Sequence, residues 1–202
     1  MYVILVLMSY HVYHTEALVL SARPVGEGDR LFHCYTRDLG LVSARAKSVR
    51  ETRSRLRYAL QTFAHAEIDL VEGKSGWRLI SARPISSFRS LWEDSAKRRI
   101  AAELTLLVRR LIQGEERHAE LFEDILLGLS FLDDIEEKHV LPDAELLLVV
   151  RLVALLGYWK EADRFAPLFR IPAYSLETLR AIPPLREELL KGVNHALQSS
   201  HL

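Results

Sequence analysis

A chain of 202 residues, 49% of them apolar, has enough hydrophobic side chains to fill a core, which excludes an intrinsically disordered protein. Its 27 basic and 27 acidic side chains cancel, so bulk charge points to neither a nucleic-acid nor a membrane partner. The single cysteine, Cys34, excludes an intrachain disulfide and a zinc site built from several thiolates, and it fits a reducing, cytoplasmic setting.

The charge is unevenly spread. Residues 1–85 hold 12 basic and 8 acidic side chains, whereas residues 86–202 hold 15 and 19, so the halves carry +4 and −4. The apolar opening, Val3 to Met8, lacks a basic flank and a cleavage site and is too short to cross a bilayer; it reads as an extension of the first strand or an artefact of the start site.

From His14 to Ala82 the pattern is of short strands and turns. Thr15 to Ser21 is followed by Pro24, Gly26 and Gly28 and then by Leu31 to Thr36, a hairpin. After Gly40, the stretch Leu41 to Lys47 puts Val42, Ala44 and Ala46 on one face and Ser43, Arg45 and Lys47 on the other. Two more strands follow a basic connection: Ala66, Ile68 and Leu70 alternate with Glu67 and Asp69, and Trp77 to Ala82 comes after Gly73 and Gly76. Five strands with a long polar connection between the third and fourth fit a closed barrel of the OB type better than an open sheet.

From about Ser86 the apolar period lengthens to that of a helix. Ile100, Leu104, Leu107 and Leu111 form one stripe and Leu121, Ile125, Leu129 and Leu132 another. Asp143 to Leu156, behind Pro142 and ahead of Gly157, is apolar around most of its circumference and should be the most buried helix; a last helix is expected over Leu185 to Leu197. The expected fold class is α+β, with an OB barrel over residues 1–84 and an all-α domain over 85–202.

The segment with the most chemistry is Arg45 to Arg57, where Arg45, Lys47, Arg50, Arg53, Arg55 and Arg57 face one acid, Glu51. Guanidinium forks grip phosphates with paired hydrogen bonds and stay charged at any relevant pH. The alternative is a solvated loop, but on an OB barrel such a strip lies where nucleic acid is commonly held. Among the neighbouring aromatics Phe32, Tyr35, Tyr58, Phe63 and Trp77, core packing is the default. Tyr58, beside the arginines, and Tyr35, which alternates away from Phe32, are the candidates for stacking on bases.

Catalytic and metal constellations are incomplete. Gly26 to Arg30 lacks the spacing and ending of a phosphate loop and reads as a tight turn. His11 with His14, and His33 with Cys34, lack further ligands at a recognisable spacing, and strand neighbours such as His33 and Cys34 point to opposite faces. The acids Glu115, Glu116, Glu120, Glu123 and Asp124 could pair around Mg²⁺ but read better as a solvated helix face. No cofactor, metal, enzymatic activity or membrane contact is expected.

Thr15-Glu-Ala-Leu-Val-Leu20, Gly26-Glu27 with Asp29-Arg30, Thr36, Gly40, Ala44-Arg-Ala-Lys47, Ser54-Arg-Leu56 and Leu60-Gln61 together resemble the N-terminal domain of the bacterial DNA repair family RecO. The helical half resembles that family chiefly through Leu155-Leu-Gly-Tyr158. The resemblance implies a protein that binds single- and double-stranded DNA, anneals complementary strands, and works with RecR to load RecA onto strands covered by single-stranded-DNA-binding protein. It also implies docking of that protein's acidic, apolar C-terminal tail, for which Arg98, Arg99, Arg109 and Arg110 could form a cationic rim. Many relatives carry a four-cysteine zinc module after the Leu-Gly-Tyr element; Trp159 to Ile171 has no cysteine, so no zinc is expected there. A competing reading makes the chain a protein-interaction adaptor whose basic strip meets an acidic partner, and a third, a nuclease using Glu120 and Asp124, lacks a complete site.

Overall fold

The computed structural model describes residues 11–49, 56–112, 114–159, 163–169 and 174–199. The apolar opening Val3 to Met8 therefore lies outside the described residues, as do Arg50, Arg53 and Arg55.

Five strands, β1 (Val12–Val25), β2 (Asp29–Thr36), β3 (Gly40–Ala46), β4 (His65–Gly73) and β5 (Gly76–Ser86), close into a barrel in the order β1-β2-β3-β5-β4. All neighbours pair antiparallel except β3 and β5, which meet in parallel at Ala44↔Trp77 and Arg45↔Arg78. With the short helix α1 (Leu56–Ala59) between β3 and β4, this is the OB arrangement.

The barrel closes because alternate residues are small or branched and point inward. Ala17, Val19, Phe32, Cys34, Val42 and Ala44 fill its interior together with Ile68, Leu70 and Leu79, and Leu60, just past α1, plugs one end. β1 is longer than the stretch Thr15 to Ser21 because its ends pair separately, Val12–Leu18 with β4 and Ala17–Val25 with β2, across a bulge between Val19 and Ser21.

The helical region follows as α2 (Arg89–Glu93), α3 (Ser95–Leu111), α4 (Ala119–Asp134), α5 (Leu141–Leu155), α6 (Leu176–Arg180) and α7 (Arg186–Ser199), with short 3₁₀ turns between them. Asp94 starts α3 by accepting from the backbone N–H groups of Ala96 and Lys97 at 2.8 and 3.2 Å. Pro142 sits in the first turn of α5, where its missing N–H costs no hydrogen bond. Among the described residues no helix is long and apolar enough to cross a membrane.

Barrel and helices share a core. Leu18, Leu20, Tyr35 and Phe63, from the outside of the barrel, join the cluster formed by α3, α4 and α5. The α3–α4 connection seals the same seam: the Leu41 N–H donates to the Gly114 carbonyl at 3.2 Å, and a Cβ on Gly40 would lie 2.4 Å from the Glu116 carbonyl oxygen. Gly40 also has φ +66°, so a side chain there would be strained twice over.

Inside the helical half, Arg151 breaks the apolar run of α5 without leaving the core. Its Nε donates to Asp124 at 2.9 Å and a terminal nitrogen to the Leu168 carbonyl at 2.9 Å, while the Tyr174 hydroxyl donates to the other Asp124 oxygen at 2.7 Å. Asp124 is thus buried and engaged by Arg151 and Tyr174, and does not lie on the solvated face expected of the acids around Glu120.

Candidate nucleic-acid interface

Strand register assembles a row that chain order conceals. Arg23 of β1 faces Leu31 of β2, Leu31 faces Arg45 of β3, and Arg45 faces Arg78 of β5. All four point outward, the three arginines exposed. Three strand intervals separate the first from the last, about 14 Å at a spacing of roughly 4.8 Å. Arg23 and Arg78 stand far from the Arg45–Arg57 strip in sequence, and only pairing brings them together.

Beside this row is an open cleft of about 820 Å³ at the mouth of the barrel, where Arg45, Lys47, Lys74 and Arg78 surround Tyr13 and Trp77. Tyr13 is half-buried, with its ring edge-on to Trp77 at 5.0 Å and to His11 at 4.4 Å. Trp77 is 8% exposed, and its indole N–H donates to Glu115 at 2.7 Å, so its main work is to close the barrel end. The cleft lies beside the β4–β5 turn, Gly73 to Gly76, one of the loops that flank the ligand face of OB barrels.

Asp29 organises the start of the basic connection. Its carboxylate takes Arg45 Nε at 2.7 Å and the backbone N–H of Ser48 at 3.0 Å, which holds the chain as it leaves β3. The Ser48 N–H, the Arg45 guanidinium and the nearby Lys47 charge hold the Asp29 carboxyl below its ordinary value. The tight turn Gly26 to Arg30 thus supplies the acid that aims Arg45, a role no local motif announces.

The candidates from sequence fare differently. Arg45 and Lys47 are exposed beside the cleft. Arg57 and Tyr58 lie in α1, where only the backbone is described. Tyr35 does alternate away from Phe32, but the outer face it reaches is covered by α4: it is fully buried, its ring lies 5.9 Å from that of Phe122, and its hydroxyl donates to the His118 carbonyl at 3.3 Å. Tyr35 therefore has no face to offer a base, and Tyr13 is the tyrosine in the cleft. Phe32 and Phe63 are buried as well.

Several other titratable groups have local partners. His14 bonds Asp69 at 2.6 Å and His33 bonds the Ser43 hydroxyl at 2.8 Å. Burial pushes the Cys34 thiol up to about 12, far from a reactive thiolate. Among the helical arginines, Arg99 is held by Glu103 and Glu145, Arg98 donates to the Trp92 carbonyl, and Arg109 reaches back to Ser21 of the barrel. Arg110 borders an apolar groove of about 240 Å³ between α3, α5 and α7, whose walls include Leu106, Leu107 and Leu197.

Residues 8–88 match the family described as "Recombination protein O N terminal". The protein named DNA repair protein RecO from Heliobacterium modesticaldum is 37% identical over 150 residues, covering 74% of this chain and 53% of that protein. The RecO of Desulfitobacterium hafniense is 33% identical over 147 residues, with 73% and 52% covered, and that of Dehalococcoides mccartyi is 27% identical over 151 residues, with 75% and 58% covered. The chain spans about half the length of the curated relatives it matches.

Proposed function

The chain belongs to the RecO family, and from that premise we propose that it is a non-enzymatic recombination mediator in DNA repair that holds DNA on the basic face of its barrel. The observation that carries this reading is the row Arg23, Arg45 and Arg78, continued by Lys47 and Lys74 around the cleft. Cations spread over about 14 Å of curved sheet suit a phosphodiester chain, which offers repeated charges, better than a single phosphate group. Contacts of this kind do not read sequence, and a mediator acting on any exposed strand needs none that do.

Annealing follows from the same chemistry. A surface that neutralises the phosphates of two strands lowers their mutual repulsion and lets complementary bases meet. Arg50, Arg53, Arg55 and Arg57 belong to this reading as phosphate contacts on the strength of the sequence alone, and Tyr13 rather than Tyr35 would carry base stacking. Loading of RecA together with RecR belongs to this reading through the family. The apolar groove bordered by Arg110 suits the acidic, apolar tail of single-stranded-DNA-binding protein.

The test is the rate at which complementary, protein-free oligonucleotides anneal. The chain should accelerate annealing in a salt-sensitive manner, and an Arg45→Ala/Arg78→Ala variant should do so poorly. No acceleration by the wild type would leave a protein-interaction adaptor, whose basic face meets an acidic partner, as the better reading.

A further inference from the structure

The DNA path proposed above uses Arg23 but gives no part to His33 and Arg109, which stand beside it at the seam between barrel and helices. One step along the strands from the arginine row, Ser21 of β1, His33 of β2 and Ser43 of β3 face each other in register. The His33 ring bonds the Ser43 hydroxyl at 2.8 Å, and Arg109, exposed near the end of α3, donates to the Ser21 hydroxyl at 3.1 Å. Arg23 stands two residues from Ser21 on the same strand and is exposed. Among the described residues no carboxylate forms an ion pair with Arg23, His33 or Arg109.

We propose that this seam, made by Arg23, His33, Ser43 and Arg109, is a second phosphodiester-binding subsite, which leads a strand from the barrel onto α3 of the helical half. It rests on the reading that the barrel binds DNA, and adds to it that the helical half supplies part of the nucleic-acid surface. Hydroxyls and an imidazole between two guanidiniums offer donors to phosphate oxygens, the combination that fixes a backbone without reading bases.

The surroundings of His33 give the subsite a signature. Facing it are Ser21 and Arg23 from β1, Ser43 and, one step along, Arg45 from β3, and Arg109 from α3. Partial burial, then the charges of Arg109 and Arg23, hold its pKa below the ordinary histidine value. A phosphate arriving there offsets those charges and raises the pKa, so binding takes up a proton and affinity rises as pH falls from about 8 to 6.

The experiment measures binding of a fluorescent oligothymidylate across a salt series and at pH 6 and 8. The proteins are the wild type, Arg109→Ala, Arg109→Lys and His33→Gln, with His11→Gln as a control at the neighbouring cleft. Arg109→Ala should lower the slope of log affinity against log salt by about 0.7, the share of one single-strand phosphate contact, and Arg109→Lys should restore it. His33→Gln should flatten the pH dependence, and His11→Gln should leave most of it. Wild-type binding with an unchanged slope in Arg109→Ala, or an unchanged pH dependence in His33→Gln, overturns the subsite while leaving the barrel reading intact. No binding by the wild type overturns both.

Discussion

On one side of the barrel, β1, β4 and β5 place Glu16, Glu67 and Arg83 in a row; on the other, β1, β2, β3 and β5 place Arg23, Leu31, Arg45 and Arg78. Both rows come from the same alternation and the same strand spacing. In the first the charges cancel: Arg83 lies on Glu67 at 2.9 Å, Glu16 is shared by Arg37 at 3.2 Å and His65 at 2.9 Å, and the next step along pairs His14 with Asp69. In the second, the Asp29 carboxylate contacts Arg45 and serves to aim it. A chain of zero net charge can therefore carry an arginine row on one face of its barrel and a mixed row of acids and bases on the other.

Substitutions can break this contrast or sharpen it. The largest effect should come from a charge on neither face: Asp124→Ala leaves buried Arg151 without its counter-charge and should cost about 3–5 kcal/mol in denaturant unfolding. If the chain instead stayed stable and lost an Mg²⁺-dependent activity, Asp124 would have to be read as catalytic. Next, Arg23→Ala/Arg45→Ala/Arg78→Ala removes three contacts worth about 0.7 each in the salt slope, and so roughly two powers of ten in single-strand affinity near 0.1 M salt, measured by anisotropy. Tyr13→Ala should cost about tenfold in the same assay if its ring stacks on a base.

Smaller effects belong to acids and bases that are already paired. Lys138, followed by the backbone N–H groups of Lys97 and Ala96, holds the Asp94 carboxyl down at about 2. Its contribution to stability is therefore complete above pH 4 and fades as pH falls towards 2. Asp94→Asn keeps a cap for α3 and should reduce the acid sensitivity of thermal unfolding in that window alone. Arg83→Ala should leave DNA affinity nearly unchanged, because Arg83 stands with Glu67 on the opposite side of the barrel from the arginine row.

The alternation of Ser43, Arg45 and Lys47 against Val42, Ala44 and Ala46 was readable because period and face coincide on a half-exposed strand. Tyr35 shows where that logic stops: alternation tells which face a side chain takes, not what covers that face. A signal was present in Ala17 to Leu20, an uninterrupted apolar run that marks a strand buried on both sides, with Leu18 and Leu20 turned towards the helices. Arg23 and Arg78 are not legible as a pair in the sequence because each stands apart from the Arg45–Arg57 strip and becomes part of a row only through register. Asp29 escaped because its partners, Arg45 and Ser48, lie beyond the next hairpin.

The most direct test follows the backbone amide signals of the isotopically labelled chain by NMR during titration with a short single-stranded oligonucleotide. Shifts concentrated at Arg23, Arg45, Lys74 and Arg78, with Glu16, Glu67 and Asp69 unmoved, are the predicted result. Shifts centred on Glu67 and Asp69, or spread evenly over both faces, would contradict the assignment of the DNA surface to the cationic row.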